Sequence, residues 1–209
     1  MDLFSKIINL TFISPSKWLA NLAHESILKE KNIVVVNNGI NTDVFLNQKV
    51  KKIKFRILCI SSIWDARKGI NDVIKLAKIL GNDYEIVLVG KVSISKIPEN
   101  ITYIERTDNV NQLVEIYNSS SIMFNPTYED NYPTVNLEAL SCGCPVLCYK
   151  TGGAFEMIDP LFVVEQGNRI YSSFDGIIYD KDMSVVIQCP AGKVGSVEIP
   201  YGVTTIKEY

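Results

Sequence analysis

Three carboxylates, a proline turn and a helix start fall in one short stretch, Pro126-Thr-Tyr-Glu-Asp-Asn-Tyr-Pro-Thr-Val-Asn-Leu-Glu138, with Ala139-Leu-Ser-Cys-Gly-Cys-Pro-Val146 behind it. Before it, Ser121-Ile-Met-Phe-Asn125 is an apolar run suited to a buried parallel strand, and Pro126 ends that strand because proline donates no ladder hydrogen bond. Glu129, Asp130 and Asn131 crowd acceptors into the loop that follows; Pro133 fixes φ for a first helical turn, and Thr134 to Leu140 has helical composition. The free N–H groups of that helix start, those of Tyr132, Thr134 and Val135 around Pro133, lie at the positive end of a helix dipole and favour a phosphate. Glu138, about one turn into the helix, points an acid at the same crevice. A carboxylate beside a phosphate is repelled unless it binds something else. The vicinal diol of a ribose or a sugar suits it, since an ionised acid accepts two hydroxyl hydrogen bonds. Phosphate and sugar together indicate a nucleotide sugar.

Cations for the same chemistry lie earlier. Phe55-Arg-Ile-Leu-Cys-Ile60 reads as a strand, residues 61–69 as the loop after it, and residues 70–80 as a helix with apolar residues at helical spacing. Arg67 and Lys68 therefore stand at a strand's carboxyl end just before a helix, where two positive charges would neutralise a leaving diphosphate. Further strands are expected at residues 85–90, 101–107 and 145–149, and a helix at 111–119 with Leu113, Ile116 and Tyr117 on one face. Gly152 and Gly153 follow the last of these strands, where paired glycines serve either a close backbone approach to a ligand or an ordinary strand-helix turn. Upstream, residues 11–16 read as a strand running into a helix capped by Ser16, and residues 32–36 as a strand with a turn-rich loop behind it. Strands alternating with helices make an α/β fold, a Rossmann-like doubly wound parallel sheet, and such sheets bind ligands outside the carboxyl ends of their strands.

Composition bounds the rest. With 209 residues and 47% apolar content the chain can bury a core. A net charge of −2 and no basic stripe with interleaved aromatics give no nucleic-acid partner. Five cysteines without small-scaffold spacing read as reduced thiols in a cytoplasmic protein. Cys142, Cys144 and Cys148 are small buried residues rather than a metal site, since the chain has one histidine, His24, itself a surface helix residue. The N-terminal Met1-Asp-Leu-Phe-Ser-Lys-Ile-Ile-Asn-Leu lacks the basic opening and cleavage site of a secretory signal, and no run has the apolar length of a membrane span. Interfacial contact by that end is compatible with it.

The stretch from Pro126 to Glu138 resembles the signature loop of the family 4 (group 1) glycosyltransferases, GT-B enzymes with two Rossmann-like halves, in which an acid, seven residues and a glutamate bind the donor. Asp130 and Glu138 have that spacing, with Asp where the family usually has Glu and with Glu129 beside it. The resemblance runs from about Phe12 to Ile158. It implies a nucleoside diphosphate sugar as donor, Glu138 on the ribose hydroxyls, Asp130 or Glu129 orienting the donor sugar, and Lys68 with Arg67 on the diphosphate. It further implies the base near Arg106 and Thr107, Gly152 and Gly153 shaping the donor pocket, retention at the anomeric carbon, and no metal or other cofactor. The family's usual Arg stands five positions before the Lys, where this chain has Ile63. Residues 1–31 resemble the end of the first half and the junction, and residues 32–160 the donor-binding C-terminal half. The acceptor-binding domain, about 150 residues by ordinary domain size, is then absent, and a complementing N-terminal half is an expected partner. The acceptor would be a saccharide or lipid-linked saccharide, and the setting polysaccharide or lipopolysaccharide assembly in a bacterium, in the cytoplasm or peripheral at the inner membrane face.

Beyond Ile158 the pattern changes to short β-rich runs divided by Asn, Gly and Pro turns, at 162–179, 185–193 and 196–206. This tail, 161–209, resembles one BspA-type leucine-rich repeat, above all at Ile199-Pro-Tyr-Gly-Val-Thr-Thr-Ile206. A single repeat cannot bury its own face, so packing on the sheet domain, loose order or a fusion are the alternatives. Asp180-Lys-Asp182 reads as a solvated turn rather than a metal-binding acid pair.

Overall fold

The computed structural model describes residues 7, 9–93, 96–154, 156–157, 169–175, 177–188 and 199–206. Residues 1–6 and 8 of the N-terminal run compatible with interfacial contact, Cys189, and the tail residues 161–168 and 191–198 lie outside them. The chain forms two compact units, Met1–Ile158 and Asp159–Tyr209.

In the first unit, β1 (Thr11–Ser14) leads into α1 (Lys17–His24) and β2 (Asn32–Val35). Then come β3 (Arg56–Trp64), α2 (Ile70–Leu80), β4 (Glu85–Val92), β5 (Ile101–Ile104), α3 (Val110–Ser119), β6 (Ile122–Asn125), α4 (Thr134–Ser141) and β7 (Val146–Cys148). Five of these strands make one sheet in the order β5-β4-β3-β6-β7, every pairing parallel. β1 and β2 pair with each other in parallel as a separate ribbon.

Both faces of the large sheet are covered, as the continuous apolar strands require. Ile57, Cys59, Ile86 and Leu88 face one core with Val73 and Ala77 of α2. Leu58, Ile60, Val87 and Val89 face the other with Val114 and Tyr117 of α3 and Ala139 of α4. Alternation along β3 and β4 thus supplies two cores at once. Helix α2 has the expected bounds: Ile70, Val73 and Ala77 make its buried stripe, Asp72 and Lys78 complement its dipole, and Gly81 at φ 60° ends it. The Asn100 amide closes that end by donating to the carbonyls of Ala77 and Gly81, both at 2.8 Å.

Two strands end three or more residues from the expected place. β3 runs on to Trp64 through an irregularity between Ile60 and Ile63, where the indole of Trp64 donates to the Val89 carbonyl at 2.8 Å. β5 stops at Ile104, where its pairing with Val89 ends, so Arg106 and Thr107 lie in the loop beyond it.

Helix α1 is held at its N-terminus from a distance. Ser16 caps it conventionally, accepting from Leu19 N–H at 3.1 Å. The two preceding amides are taken by one carboxylate: Glu156 Oε2 accepts from Lys17 N–H at 2.9 Å and Oε1 from Trp18 N–H at 2.7 Å. A carboxylate at a helix N-terminus satisfies orphan donors and opposes the dipole. Glu156→Ala should therefore speed amide hydrogen exchange at Lys17 and Trp18 about tenfold, about 1.4 kcal/mol of local stability. Unchanged exchange would show that water serves those amides equally well.

The second unit holds β8 (Tyr171–Phe174), β9 (Ile177–Asp180), β10 (Val185–Gln188) and β11 (Thr205–Ile206) in the order β11-β10-β9-β8. β8 and β9 form an antiparallel hairpin, while β10 and β11 pair in parallel. Asp180 is the last residue of β9 rather than part of the turn, and its carboxylate holds the turn that follows: it accepts from Ser184 Oγ and Ser184 N–H at 2.7 Å and from Val185 N–H at 2.9 Å. Those bonds, the Ser184 hydroxyl first, hold its carboxyl below the usual range.

Candidate functional site

The sheet order reverses between β3 and β6, which are neighbours in space but separated in the chain by β4, β5 and two helices. At such a switch point the connections leave in opposite directions and open a crevice at the strands' carboxyl ends. Two loops line it, residues 65–69 after β3 and 126–133 after β6.

Backbone contacts lock these loops together. Tyr128 N–H donates to the Arg67 carbonyl at 2.9 Å. Gly69, at φ 79°, lies so close to Pro126 that a Cβ on it would stand 2.2 Å from the Pro126 carbonyl oxygen. Only glycine fits there, on both counts. The Lys68 N–H is fixed by Asp65 Oδ1 at 2.8 Å, and its ammonium makes an ion pair with the Asp130 carboxylate. The two side chains are only 21% and 18% exposed, so solvent screens this pair far less than a surface one.

The structure separates residues that look alike in sequence. Arg67 projects outward, 55% exposed, with only a 4.0 Å contact to Asp65. Glu129 is exposed and offers its backbone carbonyl to Thr127 Oγ1 at 3.2 Å. Lys68 and Asp130 are therefore the cation and acid brought together in the crevice.

Gly152 and Gly153 serve this loop. Gly153 N–H donates to the Asp130 carbonyl at 2.9 Å, and a Cβ on Gly153 would stand 1.9 Å from the Asn131 carbonyl oxygen. A Cβ on Gly152, at φ 55°, would stand 2.4 Å from the Asp130 carbonyl oxygen. The approach that the paired glycines allow is filled by the signature loop itself. Two buried amides complete the brace: Asn125 Nδ2 donates to Asn136 Oδ1 at 2.8 Å, and Asn136 Nδ2 to the Ala154 carbonyl at 3.1 Å. Near the loop's end, partial burial and then the Glu156 charge push the Tyr132 phenol up. Pro133, at φ −70° and ψ 107°, is the residue before α4 rather than its first residue, and no side chain caps Thr134 or Val135.

Beside the crevice lies a cavity of about 490 Å³ lined by residues 60–63, 89–91 and 105–107 with Leu113, Val135 and Glu138. It brings together Glu138, Arg106, Thr107 and Val135, which the sequence reading placed in one site. It adds Ser61, Ser62 and Ile63, which that reading gave to a loop, and Lys91 and Glu105. The available signal was Gly90 inside an apolar strand, since such a glycine marks close backbone approach. Gly90 has φ 119°, and a Cβ there would fall 1.6 Å from the Ser61 carbonyl oxygen. Glu138 Oε2 accepts from the Tyr117 hydroxyl at 2.9 Å, a contact that sequence reasoning missed.

Among the described residues no group of three or more His, Cys, Asp or Glu side chains could hold a metal ion, and no helix is long and apolar enough to cross a membrane. The arrangement offers a half-buried cation at a switch point, an open helix start, and next to both a cavity lined by Glu138 and Glu105 together with Lys91 and Arg106.

Known proteins share this fold. Residues 41–171 match the family model described as glycosyl transferases group 1. A probable sucrose-phosphate synthase of Thermosipho melanesiensis is 27% identical over 154 residues, 63% of this chain and 35% of that protein. The N-acetyl-alpha-D-glucosaminyl L-malate synthase of Bacillus anthracis is 27% identical over 160 residues, 67% of this chain and 41% of that protein. The chain thus spans less than half the length of these curated relatives. Among solved structures, the sucrose-phosphate synthase of Thermosynechococcus elongatus superposes with a TM-score of 0.62 at 18% identity, covering 73% of this chain and 44% of that one. Anabaena HepE, solved with UDP and glucose, superposes with a TM-score of 0.56 at 16% identity, covering 75% and 47%. The fold is the Rossmann-like α/β fold of these GT-B glycosyltransferase neighbours. By the match of its residues 41–171, this chain belongs to the group 1 glycosyl transferase family.

Proposed function

We propose that the chain is the donor-binding half of a family 4 glycosyltransferase that moves a hexosyl group from a nucleoside diphosphate sugar to a saccharide or lipid-linked acceptor with retention. The observation that carries this reading is Lys68 held on Asp130 at the switch point, next to a cavity lined by Glu138. A nucleotide fits both: base near Arg106 and Thr107, ribose hydroxyls on Glu138, diphosphate against Lys68 and the first amides of α4. As the bond from the anomeric carbon to the diphosphate oxygen breaks, negative charge grows on the leaving group. An ammonium and helix amides already aimed at it stabilise that transition state more than the ground state. Asp130 orients the sugar and holds Lys68 until the donor arrives, and exposed Arg67 adds a weaker, screened attraction. No metal is needed for this chemistry.

Residues 1–31 are read as the end of the acceptor half and the junction. The acceptor and the groups that take its proton would then come from a complementing N-terminal half, in polysaccharide or lipopolysaccharide assembly at the cytoplasmic side of a membrane. Residues 161–209 are read as a single repeat of the BspA leucine-rich type.

Calorimetric titration with UDP, GDP and ADP tests the reading. One of them should bind the intact chain, and Glu138→Ala should weaken it about tenfold, the order of a lost hydrogen bond to a charged group. A folded chain that binds none of the three would leave no donor site.

A further inference from the structure

We propose that Tyr117 is a positioning residue for Glu138, holding one carboxylate oxygen so that the other faces the cavity; this rests on the nucleotide reading above. Tyr117 is fully buried on α3, its ring edge-on to Phe45 with centroids 6.2 Å apart and planes at 75°. Its hydroxyl donates to Glu138 Oε2 at 2.9 Å. Burial first, then the charge and hydrogen bond of Glu138, push the phenol far up, so the proton stays on tyrosine and the bond runs one way, from phenol to carboxylate.

The consequence for the site is geometric. A glutamate has three rotatable side-chain bonds, and ordering them on ligand binding costs entropy. With Oε2 tied to a rigid buried phenol, that ordering precedes the ligand. Glu138 remains part of the cavity lining, so Oε1 is presented to the hydroxyls of whatever enters. A buried tyrosine on an apolar helix face ordinarily contributes packing alone. Here its polar end meets a cavity acid contributed by another helix, 21 residues along the chain.

Tyr117→Phe keeps the ring and deletes the donor. It is titrated with the nucleoside diphosphate that binds wild type and with the 2′,3′-dideoxy form of the same nucleotide. The positioning role predicts about tenfold weaker binding of the ribose form and unchanged binding of the dideoxy form, since only the former uses Glu138. A purely structural tyrosine would move both or neither. That result, with Glu138→Ala still selective for the ribose form, overturns the role of Tyr117 and leaves the nucleotide reading intact. Wild type that binds both forms equally overturns the Glu138 assignment and this inference with it. A second variant carrying 3-fluorotyrosine at residue 117 keeps donor and packing; it should bind the ribose form as tightly as wild type or more so, and a loss there would also overturn the role.

Discussion

Lys68→Ala should weaken binding of the nucleoside diphosphate by about ten- to a hundredfold while leaving the parent nucleoside's affinity unchanged. The substitution removes the cation paired with Asp130 in the crevice, and it leaves the Asp130 carboxylate, 18% exposed, without that partner. Both effects act on the phosphates: the ligand loses a charge-assisted contact and meets an uncompensated acid. Arg67→Ala is the comparison. Its side chain is 55% exposed and its contact with Asp65 is loose, so screening should hold its effect within about threefold. Titration of both variants with nucleoside and nucleoside diphosphate separates charge from base and ribose. Equal losses for the two ligands with Lys68→Ala would mean that the loop had collapsed rather than lost a phosphate contact.

The largest stability effect is expected at Gly90. Alanine there would place a methyl 1.6 Å from the Ser61 carbonyl oxygen and 3.3 Å from the Trp64 ring, in a backbone with φ 119°. The nearest atom is backbone of the adjoining strand, so relief requires β3 and β4 to part at the irregularity that shapes the cavity. Unfavourable φ and forced strand separation together should cost about 3 kcal/mol or more. In urea the midpoint should fall by about 1 M or more. Gly39→Ala, with nothing within 4 Å of its Cβ, should leave the midpoint where it is. A Gly90→Ala midpoint equal to wild type would show that the strands close differently around residue 61.

What was legible in the sequence was local. Helix α2 could be bounded because its apolar residues recur at helical spacing in one continuous run, which Gly69 and Gly81 flank. The loop from Pro126 to Glu138 announced itself by proline, clustered acids and a helix start. The choice of Lys68 and Asp130 over Arg67 and Glu129 was not legible. Adjacent residues differ only in which way the folded loop points them, and that is set by Gly69 against Pro126 and by Tyr128 bonding to Arg67. The extension of β3 was hidden because Ser61 and Ser62 look like loop residues, while the irregularity that accommodates them depends on β4. Glu156 at the α1 terminus and Tyr117 on Glu138 were hidden by distance along the chain, 138 and 21 residues. In the tail, the β8–β9 hairpin follows from local turn residues, but the parallel partner of β10 lies far downstream at β11.

The most direct test is amide chemical-shift mapping of the isotope-labelled chain with the nucleoside diphosphate selected by titration. The account predicts saturable shifts at residues 61–63, at Lys68 and Gly69, at Arg106 and Thr107, and through the first turn of α4 to Glu138. Saturable shifts that avoid those residues, or none at ligand concentrations in the millimolar range, would contradict a donor site at the switch point.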